Sequence, residues 1–320
     1  MLLRRVAVIP ALVSLLSLGL GACGDDGSDG GTPGQADTAS RLDAVTISGD
    51  VGSAPEVEWK KQMSAGKIET DTVTEGDGAA IEDGQSVMAQ IWIGNGFTKA
   101  EAYSTYTEKR AELVTVGGDS PEFFAGVQGA TIGSRLAVTG SADEMFGEAG
   151  NAQLGIANKD SVLIVLDLVS AVADGPQADA TTNPQPDWMP KLTETDGTPT
   201  AFDFAGTPQP TADLRRVQLI QGTGPRVEKG QTIAVDYLGQ AFGEAAPFDE
   251  NYSTGTPTTF GIGTGQVIKG WDEALEGVPV GSRVVLSIPP DKGYGADGNP
   301  DGGIPANATL FFIIDVLGAA

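Results

Sequence analysis

"VIKGWDEALEGVPVGSR", residues Val267 to Arg283, has a fainter copy 148 positions upstream, "DSPEFFAGVQGATIGSR", Asp119 to Arg135. In the downstream copy Trp271 and Leu275 stand at i and i+4 on one face of a short helix, and Gly277 is suited to stop that helix. The upstream copy keeps the glycines and the Gly-Ser-Arg ending. It has Phe123 in place of Trp271 and Asp119-Ser120 in place of Val267-Ile268.

The repeat extends outward from this stretch. "EGDGAAIEDGQSV" (75–87) matches "QGTGPRVEKGQTI" (221–233) at an offset of 146, which drifts to 148 further on. There Gly129 matches Gly277, Asp143 matches Asp291, Asn151 matches Asn299 and Asp167 matches Asp315. Self-similarity of this kind predicts two copies of one module. In the downstream copy "QTIAVDYLGQAF" alternates apolar and polar residues as a half-buried strand does. "SRVVLSI" reads as a second strand, ended by Pro289-Pro290. "ATLFFIIDVLG" is apolar almost throughout and reads as a strand in the middle of a sheet. The expected fold class is α+β, each module a few antiparallel strands with one short helix packed across them. One extra leading strand is expected on each module, near residues 44–66 and 188–210.

Composition narrows the chemistry. The chain has 320 residues, 40% of them hydrophobic, which is material for two packed domains. Its formal net charge is −24, which repels phosphate backbones and argues against a nucleic-acid partner. It contains no His and a single Cys, Cys23, which excludes His-based triads, imidazole metal sites, intrachain disulfides and thiolate clusters.

The N-terminus reads as an address. Arg4 and Arg5 precede an apolar stretch from Val6 to Leu18, followed by Leu20-Gly21-Ala22-Cys23. This has the form of a secretory signal, too short and wrongly flanked for a stable membrane span. Leu20 to Cys23 resembles the lipobox of bacterial lipoproteins, which implies cleavage before Cys23 and a lipid on its sulfur. The expected segments are a signal peptide over 1–22, a flexible tether over 23–43, a first domain over 44–171, a Pro- and Ala-rich linker over 172–187 and a second domain over 188–320.

The order and spacing of "VDYLG", "PFDENYS", "GQVIKGWDEALEGVPVGSRVVLSIPPDKGYGADGNP" and "GGIPANATLFFIIDVL" carry a specific resemblance. The second module resembles an FKBP-type peptidyl-prolyl isomerase from about Asp213 to Ala319. The resemblance implies two FKBP-like domains, the first degenerate, each a twisted antiparallel sheet wrapped around one short helix. Carried over by position, it implies Tyr237, Asp249, Ile268 and Tyr294 as the groups that direct the substrate. It implies Phe248, Phe260, Val267, Trp271 and Phe312 as the apolar pocket, with Trp271 as its floor. Three positions depart from the family pattern: Thr258 replaces an aromatic, Asn299 replaces a His, and Gly303 precedes Ile304 in a loop one residue longer. In the first module Trp271, Tyr294 and Phe312 become Phe123, Phe146 and Ile164. Tyr237 falls on Ile91 or Trp92, and Phe248-Asp249 falls on Tyr103-Ser104.

The implied activity is prolyl cis-trans isomerisation that assists folding of exported proteins outside the membrane. Its partners would be proline-containing segments, the membrane through Cys23, and a macrolide. Rotation about the X–Pro bond breaks no covalent bond, so neither metal nor cofactor is called for. The competing reading is a non-catalytic FKBP-like lipoprotein that binds Pro-containing segments.

Overall fold

The computed structural model describes residues 38–118, 120–177 and 181–320. The signal peptide, Cys23 and Asp119 lie outside these residues. Among the described residues no helix is long and apolar enough to cross a membrane. The chain divides into two compact units, the first ending at Ala171 and the second running from Val172 to Ala320.

The first unit opens with β1 (Thr38–Ser40), the 3-10 turn Arg41–Ala44, β2 (Val45–Ser48), β3 (Glu56–Trp59) and β4 (Gln62–Ser64). The flexible tether expected over 23–43 is therefore too long at its end, because Thr38 to Asp43 are built into strand and turn, with β1 pairing β4. The main sheet follows: β5 (Glu69–Thr74), β6 (Ser86–Asn95), β7 (Ala100–Ser104), β8 (Glu112–Thr115), β9 (Arg135–Ser141) and β10 (Ser161–Val172). Its order is β5-β9-β10-β6-β7, with β8 also pairing β6. Short helices α1 (Thr105–Glu108) and α2 (Ala142–Phe146) fill connections. The segment that copies the downstream helix is only a 3-10 turn, Glu122–Val127, begun by Pro121.

The second unit repeats the plan. β11 (Thr181–Thr182) is followed by β12 (Lys191–Thr195) and β13 (Thr198–Asp203), then β14 (Arg215–Gln221), β15 (Thr232–Ala241), β16 (Asp249–Glu250) and β17 (Thr258–Gly261). Helix α3 (Lys269–Leu275), β18 (Arg283–Ile288) and β19 (Leu310–Ala319) complete it. The order is β11-β14-β18-β19-β15-β16, with β17 also on β15, so β19 is internal as its apolar run predicts. Described parts of the expected linker are tied to the second unit. Ala173 N donates to Leu317 O, Gln177 N donates to Gly281 O, and β11 pairs with β14.

β19 is buried on both faces. Phe312, Ile314 and Val316 pack with Trp271 and Leu275 of α3. Phe311 and Ile313 face the other way, onto Met189, Phe202 and Leu192. That outer layer corrects the expected single leading strand. β12 and β13 form a hairpin around Asp196-Gly197, both at positive φ (52° and 81°), as a tight two-residue turn requires. In the first unit β2 and β3 form the equivalent hairpin, with Val45, Ile47, Val57 and Trp59 packed against Trp92, Leu163 and Val165.

An ion pair fastens each hairpin side, and it explains the shared Gly-Ser-Arg. Arg135, fully buried, donates Nε and Nη2 to Asp167 at 2.6 and 2.8 Å. Nη1 also donates to the carbonyls of Ser48 and Gly49, and Nη2, sharing its protons, to those of Asp50 and Ser53, at 2.7–3.0 Å. Arg283 pairs with Asp315 in the same fork, at 2.7 and 2.8 Å, and reaches Glu194 of β12 at 3.2 Å. The serines also do one job twice: Ser134 Oγ accepts from Gly76 N at 2.9 Å and Ser282 Oγ from Gly222 N at 3.0 Å. Gly133 and Gly281 sit at φ 90° and 87°, where only glycine is unstrained.

Candidate functional site

The first turn of α3 places Trp271 beneath the open side of the sheet, where it is 4% exposed. Its indole meets Phe260, Phe312 and Tyr237 edge-on at centroid separations of 5.1, 5.3 and 5.6 Å. Phe248 stands edge-on to Phe312 at 5.6 Å. These are the tilted contacts that ring quadrupoles favour. Exposure is graded. Trp271, Phe312 and Tyr237 are buried, whereas Phe248, Phe260, Val267, Ile268 and Tyr294 are partly open at the rim. The result is an apolar floor with a half-exposed edge. Trp271 Nε1 is buried with no hydrogen-bond acceptor among the described residues, and an unsatisfied buried donor is the kind of group that marks a functional site.

Polar groups stand at one side of this floor. Tyr237 Oη donates to Asp249 Oδ2 at 2.7 Å, and Asp249 is exposed. Burial, then the bond to Asp249, pushes the Tyr237 phenol well above its ordinary range. Burial, then the Asp249 charge, also raises that of Tyr294. Both hydroxyls therefore stay protonated and able to donate at neutral pH. Ile268 caps α3, and its carbonyl accepts from Trp271 N at 2.9 Å. Its own N–H has no acceptor among the described residues. Asp272 fixes the loop just before it, accepting from Gly263 N at 2.7 Å and Gly265 N at 3.1 Å.

All nine residues expected from the sequence thus gather in one place: eight share the apolar cluster, and Asp249 joins through Tyr237. Three further residues shape the site. Gly239 faces the two phenylalanines, and a Cβ there would lie 2.5 Å from Phe312 and 2.7 Å from Phe248. A glycine inside an alternating strand is a legible sign of such an approach. Asn251, buried, accepts from Tyr237 N at 2.7 Å and donates to Val235 O at 3.0 Å, clamping the strand that carries Tyr237. Ile304, 3% exposed, closes the cluster from the last loop. Of the departing positions, Thr258 accepts from Asn251 at 3.3 Å and Asn299 caps the 3-10 turn Pro300–Gly302. Both have structural work.

The register settles what the first unit has at these positions. Leu238 and Gly239 pair with Glu250 and Asp249; Trp92 and Ile93 pair with Ser104 and Tyr103. Ile91 N donates to Thr105 Oγ1 as Tyr237 N does to Asn251. Tyr237 therefore corresponds to Ile91, and Phe248-Asp249 to Ala102-Tyr103, one residue before the pair expected from the sequence. Likewise Phe260 corresponds to Val114 and Gly239 to Ile93. Ile91, Ile93, Val114, Phe123 and Ile164 form one buried cluster. Phe124 lies 4.5 Å from Phe123, and Phe146 lies 6.0 Å from it. The floor of the first unit is filled core. Tyr103, at the Asp249 position, turns its hydroxyl to Glu112 at 3.1 Å.

The family model for FKBP-type peptidyl-prolyl cis-trans isomerase matches residues 224–317. Over 115 residues the chain is 42% identical to the FK506-binding protein of Streptomyces anulatus, spanning 36% of this chain and 92% of that protein. Over 92 residues it is 44% identical to FK506-binding protein 2 of Emericella nidulans, spanning 29% and 67% respectively. The crystal structure of FkpA from Escherichia coli is 34% identical and covers 33% of this chain and 47% of that one, with a TM-score of 0.30.

Proposed function

Because the chain belongs to the FKBP-type peptidyl-prolyl cis-trans isomerase family, we propose that its second unit turns over X–Pro bonds on the floor formed by Trp271 and that the first unit does not. The observation that carries this reading is the single cluster of Tyr237, Phe248, Phe260, Trp271, Tyr294 and Phe312, with Asp249 and the free Ile268 N–H at its rim.

The barrier to X–Pro rotation is about 18–20 kcal/mol, because the C–N bond has partial double-bond character. The twisted amide has less charge separation than the planar one, so an apolar floor of Trp271, Phe312 and Phe260 favours it over the ground state. The Ile268 N–H and the Tyr294 hydroxyl are donors for the carbonyls on either side of the proline. The Tyr237–Asp249 pair fixes a polar edge against which the chain turns. Such groups act by binding the twisted geometry better than the planar one. No atom is transferred. A macrolide, the ligand in the relatives' names, would enter the same cup.

The first unit fits a non-catalytic role, since aliphatic side chains and Phe123 occupy its floor. The N-terminal address extends the proposal: lipid on Cys23 holds the protein on the outer side of the membrane, where exported chains fold. The test is cis-trans exchange on a short X–Pro peptide with the full chain. Asp249→Ala combined with Tyr294→Phe should lower kcat/KM by about ten-fold or more. Exchange no faster than in buffer for the unaltered chain would favour the competing reading, a binder without turnover. Full activity in the double variant would move the site elsewhere, the first unit included.

A further inference from the structure

A concavity beside the aromatic floor adjoins it through Phe248 and lies between the 241–248 loop and the turn at Gly302 and Gly303. Ala245, Ala246 and Pro247 give it a small apolar wall, and Glu244 lines its lip. Gly303, at φ 71°, leaves the opposite side bare: a Cβ there would come only within 4.0 Å of Phe248 Cβ.

The wall is held from behind by a part of the chain outside the family match. Gln240, fully buried, accepts from Phe202 N at 2.7 Å and donates to Phe202 O at 3.1 Å and to Glu244 O at 2.7 Å. Phe242 packs edge-on against Phe204 at 5.1 Å. The β12–β13 hairpin therefore braces the loop that carries Glu244, which preorganises the concavity.

Charge selects the occupant. The Glu244 carboxylate is exposed and has no ion pair among the described residues. Asp249 and Asp301, both exposed, adjoin Phe248 and Gly302 at the two ends. Lys269 and Lys292 are both engaged with Glu273. A long cationic side chain suits such a place, with its methylenes on an apolar wall and its head at a carboxylate.

We infer that this concavity is a subsite for a Lys or Arg side chain next to the isomerised proline, its stem on 245–247 and its charge on Glu244. The inference rests on the isomerase reading above. It is tested with the full chain and peptides identical except at the positions flanking proline, which carry Ala, Lys or Glu in turn. Lys at one of those positions should raise kcat/KM about two- to five-fold over Ala, mainly through KM, as an exposed ion pair allows. The gain should shrink with added salt, and Glu244→Gln should bring the Lys-to-Ala ratio close to one. Equal turnover of the Ala, Lys and Glu peptides overturns the subsite and leaves the isomerase intact. So does a Lys preference that survives Glu244→Gln. No turnover of any peptide overturns both.

Discussion

Asp236 shows how a single residue can record the difference between the two copies. It lies on β15 beside the site residue Tyr237 but faces the opposite side of the sheet, where Asn251 Nδ2 donates to it at 3.2 Å. Burial, then the nearby Asp315 charge, raises its pKa to about 6. The folded state thus binds the proton more tightly than the unfolded chain, in which an Asp titrates near 3.9. Stability from this group is fully present below about pH 4 and is lost as pH rises through about 6. The first unit has Gln90 at the corresponding position, where it accepts from Thr105 at 2.5 Å and carries no charge. Asp236→Gln should therefore flatten the fall in the urea midpoint between pH 4 and pH 7 and raise the midpoint at neutral pH. An unchanged slope would assign that pH dependence to another group. The sequence shows a lone Asp in an alternating strand; only the fold places Asp315 against it.

At the scale of elements, the outer hairpins account for what the two copies kept. A repeated Gly-Ser-Arg suggests a repeated turn, and the turn is there, but the arginine's role depends on strand pairing. Arg135 stands opposite Asp167 and Arg283 opposite Asp315, in neighbouring strands 32 residues apart in sequence. In the first unit this pair also gathers the loop that joins β2 to β3: Gly52 N donates to Asp167 at 2.6 Å, and Tyr106 Oη donates to it at 2.5 Å. Removing one member of a buried pair leaves an uncompensated charge, which costs about 3–5 kcal/mol. Arg135→Met should lower the stability of the first unit by that amount in chemical denaturation while prolyl exchange by the second unit persists. The corresponding change at Arg283 should cost less, because its side chain is 13% exposed and the surrounding water screens it. The hairpins themselves were partly legible. Asp196-Gly197 between alternating segments is a turn signal. The 49–55 loop is also rich in turn residues, Gly49, Asp50, Gly52, Ser53 and Pro55, but its dependence on the distant Arg135 is not written in that stretch.

At the scale of the whole molecule, one module has been used twice, once with an open floor and once with a filled one. Cys23→Ser should release the protein from the membrane fraction and remove the lipid mass from the mature chain; a protein that stays in the membrane fraction would refute anchoring through Cys23. The chain's own order of residues determined the repeat, the α+β class and the central strand, and its resemblance to the family at fixed spacing supplied the nine residues of the candidate site. Those features are local periodicities or matches at fixed spacing, which survive in a linear string. Only the tertiary structure decided that Phe248-Asp249 has its counterpart at Ala102-Tyr103, because pairing register, not sequence offset, fixes which side chain meets which. It also decided that Gly239 must stay bare between Phe248 and Phe312, that Ala173, Gln177 and Thr181–Thr182 are bound to the second unit, and that Gln240 ties a hairpin to the edge of the site. Each of these is a contact between segments far apart in the chain, and a buried polar group or an aromatic face finds such a partner only once the sheet has formed.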